Sequence, residues 1–493
     1  MFRYLFLLLL SASLAGKVTG QDRPNILFIA VDDLRPELGC YGNELMVTPN
    51  LDRLASRGVV FREHFVTVPT CGASRYSLLT GRLPRVQQEL SNNIFEIRLN
   101  QQAKPPRHGG SPESFVEQLR RNGYYTVGIG KISHAADGRI YGYTDPVGEA
   151  LELPASWDEM LFDAGKWGTG WNAFFAYADG SNRNDLKGNV KPYEMGEVDD
   201  LGYPDGLTAN LAVEKLEELA SKKQPFFLGV GFFKPHLPFN APKKYWDLYD
   251  RDAIPLTPAP ELPQNIHPAS LHESGEFNRY ALGEEKASLD QPVSDDYARK
   301  LKHAYFASVS YVDAQIGKVL ERLKELGLEE NTVIVVWGDH GWHLGDDRVW
   351  GKHTIFDWSL RSPLIVSAPG GKKGVSTDRV VSSIDIYPTL MQLCGVKTPG
   401  ETDGRSFAQL LRQPRSNQWE GVAYSYFRNG ITVRTARYRL TRYFRKAEPV
   451  TELYDHRKDP FETRNIAAEH PEIVRKLLPL LEQGNTGIYG VRN

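Results

Sequence analysis

The run Asn25-Ile26-Leu27-Phe28-Ile29-Ala30-Val31 carries no charge and ends abruptly in two adjacent carboxylates, Asp32 and Asp33. An uninterrupted short run of this kind fits a strand buried on both faces, as in a parallel sheet covered by helices. Far along the chain Thr332-Val333-Ile334-Val335-Val336-Trp337-Gly338 repeats the design and ends in Asp339, His340 and Gly341. Two further runs, Tyr125 to Ile129 and Phe226 to Gly231, lead into Lys131 and His134 and into Lys234 and His236. Between the runs lie helix-like stretches, at 49–57, 111–122, 205–221, 295–326 and 385–393. A length of 493 residues allows up to three domains, but this alternation predicts one large α/β domain.

Open α/β sheets place their sites at the carboxyl ends of strands. Adjacent carboxylates there repel one another unless a cation neutralises them, and hard divalent cations take carboxylate oxygens. His340 adds a nitrogen donor, which calcium does not favour. Taken singly, each group also fits an Asp-Asp turn, a surface lysine or a loop histidine.

The segment Cys71-Gly72-Ala73-Ser74-Arg75 stands ahead of the helix-like Tyr76 to Arg82 and by itself also fits a small buried cysteine before a helix. Lys352-His353-Thr354 adds more cationic donors. With Asp32-Asp33, Asp339-His340-Gly341-Trp342 and Lys352-His353 in this order, the chain resembles the type I sulfatases of the alkaline-phosphatase-like superfamily. Within them it is similar to the iduronate-2-sulfatase-like members, from about Pro24 to about Ile466.

The resemblance implies an alkaline-phosphatase-like α/β fold: a large mixed sheet flanked by helices, with a small C-terminal antiparallel sheet plus helix. It implies that Cys71 is oxidised to formylglycine and that Asp32, Asp33, Asp339, His340 and the modified Cys71 hold a calcium ion. Arg75 would orient the formylglycine hydrate, and Lys131 would draw charge from the sulfate oxygens. His236 and Lys352 would serve the leaving sugar oxygen, and His134 would deprotonate the second hydroxyl so that sulfate is expelled. The implied partners are a sulfated oligosaccharide or polysaccharide fragment and a formylglycine-generating maturation enzyme. Two positions depart from the family: Ala73 stands where many members have Pro, and Asp346 to Val349 differ in a region expected to line the sugar pocket.

Met1 to Gly16 read as a signal peptide, ending at about residue 20, because the apolar core Leu5 to Leu10 is too short to span a bilayer. Export to the periplasm or outside the cell follows, or to lysosomes in an animal. No later segment is apolar enough to cross a membrane. With 59 Lys and Arg against 61 Asp and Glu, there is no global attraction for polyanions and nothing to suggest nucleic-acid binding. Three cysteines are too few for a disulfide scaffold, and only Cys40 and Cys394 are left to pair if Cys71 is modified.

A linker-like stretch at 412–417 divides the catalytic domain, 21–415, from a smaller unit, 416–493. There Gly421 to Phe427, Gly430 to Thr435 and Tyr438 to Phe444 alternate as antiparallel strands do, before a helix from about Pro471 to Glu482. Arg428, Arg434, Arg437, Arg439, Arg442 and Arg445 crowd this unit. Arg434 and Arg437 are candidates to bind a uronate or sulfate, and Trp342 to face a sugar. The competing reading is a solvated strand face paired with acids. Two other functions fit the same motifs: a phosphatase or phosphonate hydrolase of the superfamily, and a non-catalytic binder of sulfated glycans with Cys71 left as a thiol.

Overall fold

The computed structural model describes residues 23–102, 112–280, 282, 284–445 and 449–489. The stretch read as a signal peptide, 1–20, and the expected helix start at Ser111 lie outside them.

The uncharged runs become neighbouring strands of one eight-stranded sheet. In chain order its strands are β1 (Asn25–Val31), β2 (Val59–Phe61), β3 (Tyr125–Gly130), β4 (Glu159–Leu161), β5 (Phe226–Phe232), β6 (Thr332–Gly338), β7 (Leu364–Ser367) and β8 (Val375–Thr377). Across the sheet the order is β8-β2-β7-β6-β1-β5-β3-β4. The central strands β6, β1, β5 and β3 are parallel, while β7 runs antiparallel to β6 and β2, making the sheet mixed.

Both faces of β1 are covered, which is why its sequence does not alternate. Leu27, Ile29 and Val31 pack into a core that includes the helices α1 (Pro49–Ala55), α4 (Pro204–Ala220) and α5 (Asp295–Glu325). Ile26, Phe28 and Ala30 point the other way, toward α2 (Cys71–Thr80), α3 (Phe115–Arg121) and α6 (Ile386–Leu393). Helix α5 opens on Ser294, whose side chain accepts from Tyr297 N, with Asp295 and Asp296 in its first turn and Arg322 and Lys324 in its last. Cap and charges all complement the helix dipole.

The C-terminal sheet has four antiparallel strands, β9 (Ala423–Phe427), β10 (Gly430–Arg434), β11 (Tyr438–Tyr443) and β12 (Val450–Asp455), followed by helix α7 (Pro471–Gln483). The fourth strand is an addition to the three that alternation picks out. Its buried face, with Tyr426, Ile431, Val433, Leu440 and Leu453, packs on Leu481 of α7 and on Leu83 and Ile384 of the main body. The connection between 135 and 203, polar and rich in glycine, nevertheless supplies the edge strand β4 and a small core of Trp167, Trp171, Phe174 and Phe175 against Phe233.

Candidate active site

Four parallel strands end side by side, and each delivers charge to the same place. Val31 of β1 stands opposite Gly338 of β6 and Phe232 of β5, so Asp32 and Asp33 emerge beside Asp339 and His340. Strand β3 follows with Lys131, and the turn after β5 supplies His236. Close backbone approach sets this corner: Gly130 has a φ of +69°, and a Cβ on Gly231 would lie 2.2 Å from Lys131 C.

Cys71 enters from the opposite direction. It is the first residue of α2, so the motif forms the first turn of the helix instead of preceding it. A Cβ on Gly72 would fall 2.4 Å from Asn92 O, so the helix start needs glycine there. Cys71 Sγ is 3.2 Å from His340 Nε2. One turn on, Arg75 is fully buried; its Nε donates to Asp339 Oδ2 at 2.9 Å and its NH2 lies 3.5 Å from Asp32 Oδ1.

Each buried carboxylate has its own cation. Lys131 Nζ meets Asp32 Oδ2 at 2.5 Å, Lys352 Nζ meets Asp33 Oδ1 at 2.9 Å, and Arg75 meets Asp339. Burial still pushes Asp33 and Asp339 up to about 7, the former against the pull of Lys352 and His340. Burial also raises Asp32, but Lys131 and a hydrogen bond from Asp339 hold it well below the usual range. Asp32, Asp33, Cys71 and His340 offer ligand atoms all within 4.8 Å of one another, and Asp339 Oδ1 is 3.7 Å from His340 Nε2. Buried carboxylates that resist ionising together form a donor set that a hard divalent cation fits.

Above this floor opens a cleft of about 700 Å³ lined by Cys71, Lys131, His134, His236 and Lys352. His236 Nδ1 faces Leu237 O at 2.6 Å, and its Nε2 lies 3.3 Å from Glu276 Oε1. Lys352 Nζ is also 3.3 Å from Glu276 Oε1. His134 is buried with Nδ1 unpartnered among the described residues, and burial with the nearby Lys131 lowers its pKa well below the ordinary value. Burial, then the charge of Asp32, pushes the Cys71 thiol well up. A thiolate is disfavoured here, so an unmodified Cys71 would make a poor nucleophile.

Residues 24–396 match the Sulfatase family, and residues 338–485 match the family described as N-sulphoglucosamine sulphohydrolase, C-terminal. The chain is 32% identical to iduronate 2-sulfatase of Mus musculus over 80% of this chain and 73% of that protein. The chain belongs to the sulfatase family. It is also 30% identical to a sulfatase of Formosa agariphila, over 93% of this chain and 87% of the relative. A solved phosphonate monoester hydrolase from Silicibacter pomeroyi shares the fold with a TM-score of 0.72 at 24% identity, covering 95% of this chain and 97% of that one.

In this sulfatase three expected substrate contacts are not in the cleft. Trp342 is fully buried and packs against Phe239 and, at 5.0 Å, under Lys352 Nζ. Arg434 is held inside by Glu63 and Asp357, and Arg437 pairs with Asp455. Nor does the segment 346–349 line the cleft: Asp346 is buried against Arg35 at 2.7 Å, and Val349 packs on Leu271 and Phe356. Of the arginine-rich tail, Arg428 is the member that reaches the cleft. Glu276 and Arg183 also line it. Both come from polar loops that carry no motif to single them out.

Proposed function

We propose that this sulfatase releases inorganic sulfate from a sulfate ester of a sulfated oligosaccharide or polysaccharide fragment, using formylglycine made from Cys71 and a calcium ion held by Asp32, Asp33, Asp339 and His340. The observation that carries this reading is Cys71 on the floor of the cleft, in the first turn of α2, with Arg75 one turn on and bonded to a candidate metal ligand. When present, formylglycine supplies a hydroxyl nucleophile for sulfur and calcium supplies positive charge beside the sulfate oxygens.

The chain's own residues supply the rest. Lys131, with its ammonium group at the cleft floor, holds the sulfate oxygens and meets the charge that grows on them. His236 and Lys352 stand together on one side and hold a proton for the leaving sugar oxygen as the sulfur–oxygen bond breaks. His134, its Nδ1 free among the described residues, takes a proton on the nucleophile's side. Arg75 locks Asp339 and the start of α2 in place. Cys71 is converted before catalysis by a formylglycine-generating enzyme that accepts Ala73. Export through the segment 1–20 is part of the reading, and no described helix is long and apolar enough to cross a membrane.

The similarity to iduronate 2-sulfatase supports an acidic sulfated sugar as substrate. Sulfate release from defined sulfated oligosaccharides, measured beside phosphate release from phosphate monoesters and hydrolysis of phosphonate monoesters, tests it. Turnover of sulfated sugars well above both is expected. Preference for a phosphorus ester would overturn the reading.

A further inference from the structure

The wall of the cleft holds an arginine that the reaction described above does not use. Arg183 lines the cleft half-buried, and among the described residues no carboxylate oxygen lies within 4.0 Å of it. Its guanidinium sits 3.5 Å over the centroid of Phe175, with Tyr280 at 5.3 Å and Tyr143 at 5.9 Å. Its NH1 donates to Tyr280 OH at 3.0 Å. One face and one corner of the fork are therefore fixed, while Nε and NH2 have no partner among the described residues and are not enclosed. With no carboxylate of the described residues paired to it, this edge is open to an anion from outside.

The position matters as much as the shape. Phe175 lies 6.4 Å from the His236 ring, and Phe174 lies 4.5 Å from it. Arg183 thus stands one aromatic ring away from the side chain assigned to the leaving sugar oxygen, on the sugar side of the cleft. Arg428 commits its NH1 to Leu271 O at 2.7 Å, and Arg279 is exposed at the rim. Both add positive potential without the held geometry of Arg183.

We propose that the open edge of Arg183 is a subsite for a second anionic group of the substrate, a carboxylate or a further sulfate on the sugar bearing the scissile ester or on its neighbour. A planar fork with two free donors pairs with either oxyanion through two parallel hydrogen bonds. The proposal rests on the sulfated-sugar reading above.

The test compares three substrates: a neutral monosulfated sugar, a monosulfated uronate and a neutral sugar with two sulfates. Wild type should prefer at least one acidic substrate over the neutral one. In R183Q the ratio of acidic to neutral kcat/KM should fall about tenfold or more, mainly through KM. R183K keeps the charge but loses the fork and should fall between the two; it also carries the test if R183Q folds poorly. A drop confined to the uronate identifies a carboxylate, and one confined to the disulfated sugar identifies a sulfate. An active wild type without acidic preference, or variants with an unchanged ratio, would overturn the subsite alone. Failure of wild type to release sulfate from all three would overturn the sulfated-sugar reading, and the subsite with it.

Discussion

The backbone N–H of Asp33 donates to Asp339 Oδ1 at 3.0 Å, tying together the ends of two strands separated by most of the chain. The bond explains how Asp33 is held at a φ of +57°, and it aims two carboxyls at one point beneath Cys71. A cation bound there would join the two halves of the sheet's centre.

Metal removal should therefore affect both turnover and stability. Chelation is expected to abolish sulfate release and lower Tm, and calcium should restore both, stabilising by about 2.7 kcal/mol at a hundred times its Kd. Asp32→Asn should blunt the calcium-dependent rise in Tm. Calcium that leaves Tm and activity unmoved, with zinc supporting both, would contradict the ligand assignment.

The leaving-group side gives a second expectation. His236→Ala and Lys352→Ala should each slow hydrolysis of a sugar sulfate by about 10²–10⁴. The loss should be smaller for an aryl sulfate, whose phenolate departs without a proton. Equal losses on both substrates, measured as kcat, would argue against proton donation from this pair.

Arg434 should matter for folding and not for substrate. Its buried guanidinium bridges the half-buried Glu63 at 3.1 Å and Asp357 at 3.2 Å, so Arg434→Ala leaves them, among the described residues, only Arg361 and His456 as nearby cations and costs about 2 kcal/mol. Denaturant unfolding should register that loss while KM for an acidic oligosaccharide stays put. A raised KM at unchanged stability would return Arg434 to the binding site.

A pH effect follows from His64, buried between Ser362 O and Ser383 Oγ at 3.0 Å each. Burial pushes its pKa down to about 4, whereas the unfolded imidazole titrates near 6.5, so protonation favours the unfolded chain. Its contribution is present above about pH 6.5 and lost as pH falls toward 4, on the order of 3 kcal/mol. Unfolding free energies across this range should fall less steeply in His64→Gln. Parallel curves for the two proteins would rule out the assignment.

What the sequence disclosed and what it hid have physical causes. Asp32 and Asp339 were legible because a strand buried on both faces cannot carry charge until it leaves the sheet. Cys71 and Arg75 were legible as a motif, but their place in the first turn of α2 was not, because Gly72 and Ser74 give no helix signal. Arg434 was not, because strand alternation gives a face but no partner, and Glu63 and Asp357 come from distant parts of the chain. Trp342 adjoins the ligand motif, yet the turn after His340 carries it inward against Phe239. Glu276 and Arg183 lie in polar loops, where only the folded cleft shows which side chains converge.

In the mechanism proposed above, residue 71 of the working enzyme is formylglycine and not cysteine. Peptide mass spectrometry of active protein made with a competent maturation system, with parallel trapping of aldehydes, tests it most directly. The peptide carrying residue 71 should have the formylglycine mass in proportion to specific activity, and Cys71→Ala should fold but release no sulfate. Full activity in protein whose Cys71 peptide shows only free thiol would contradict the account.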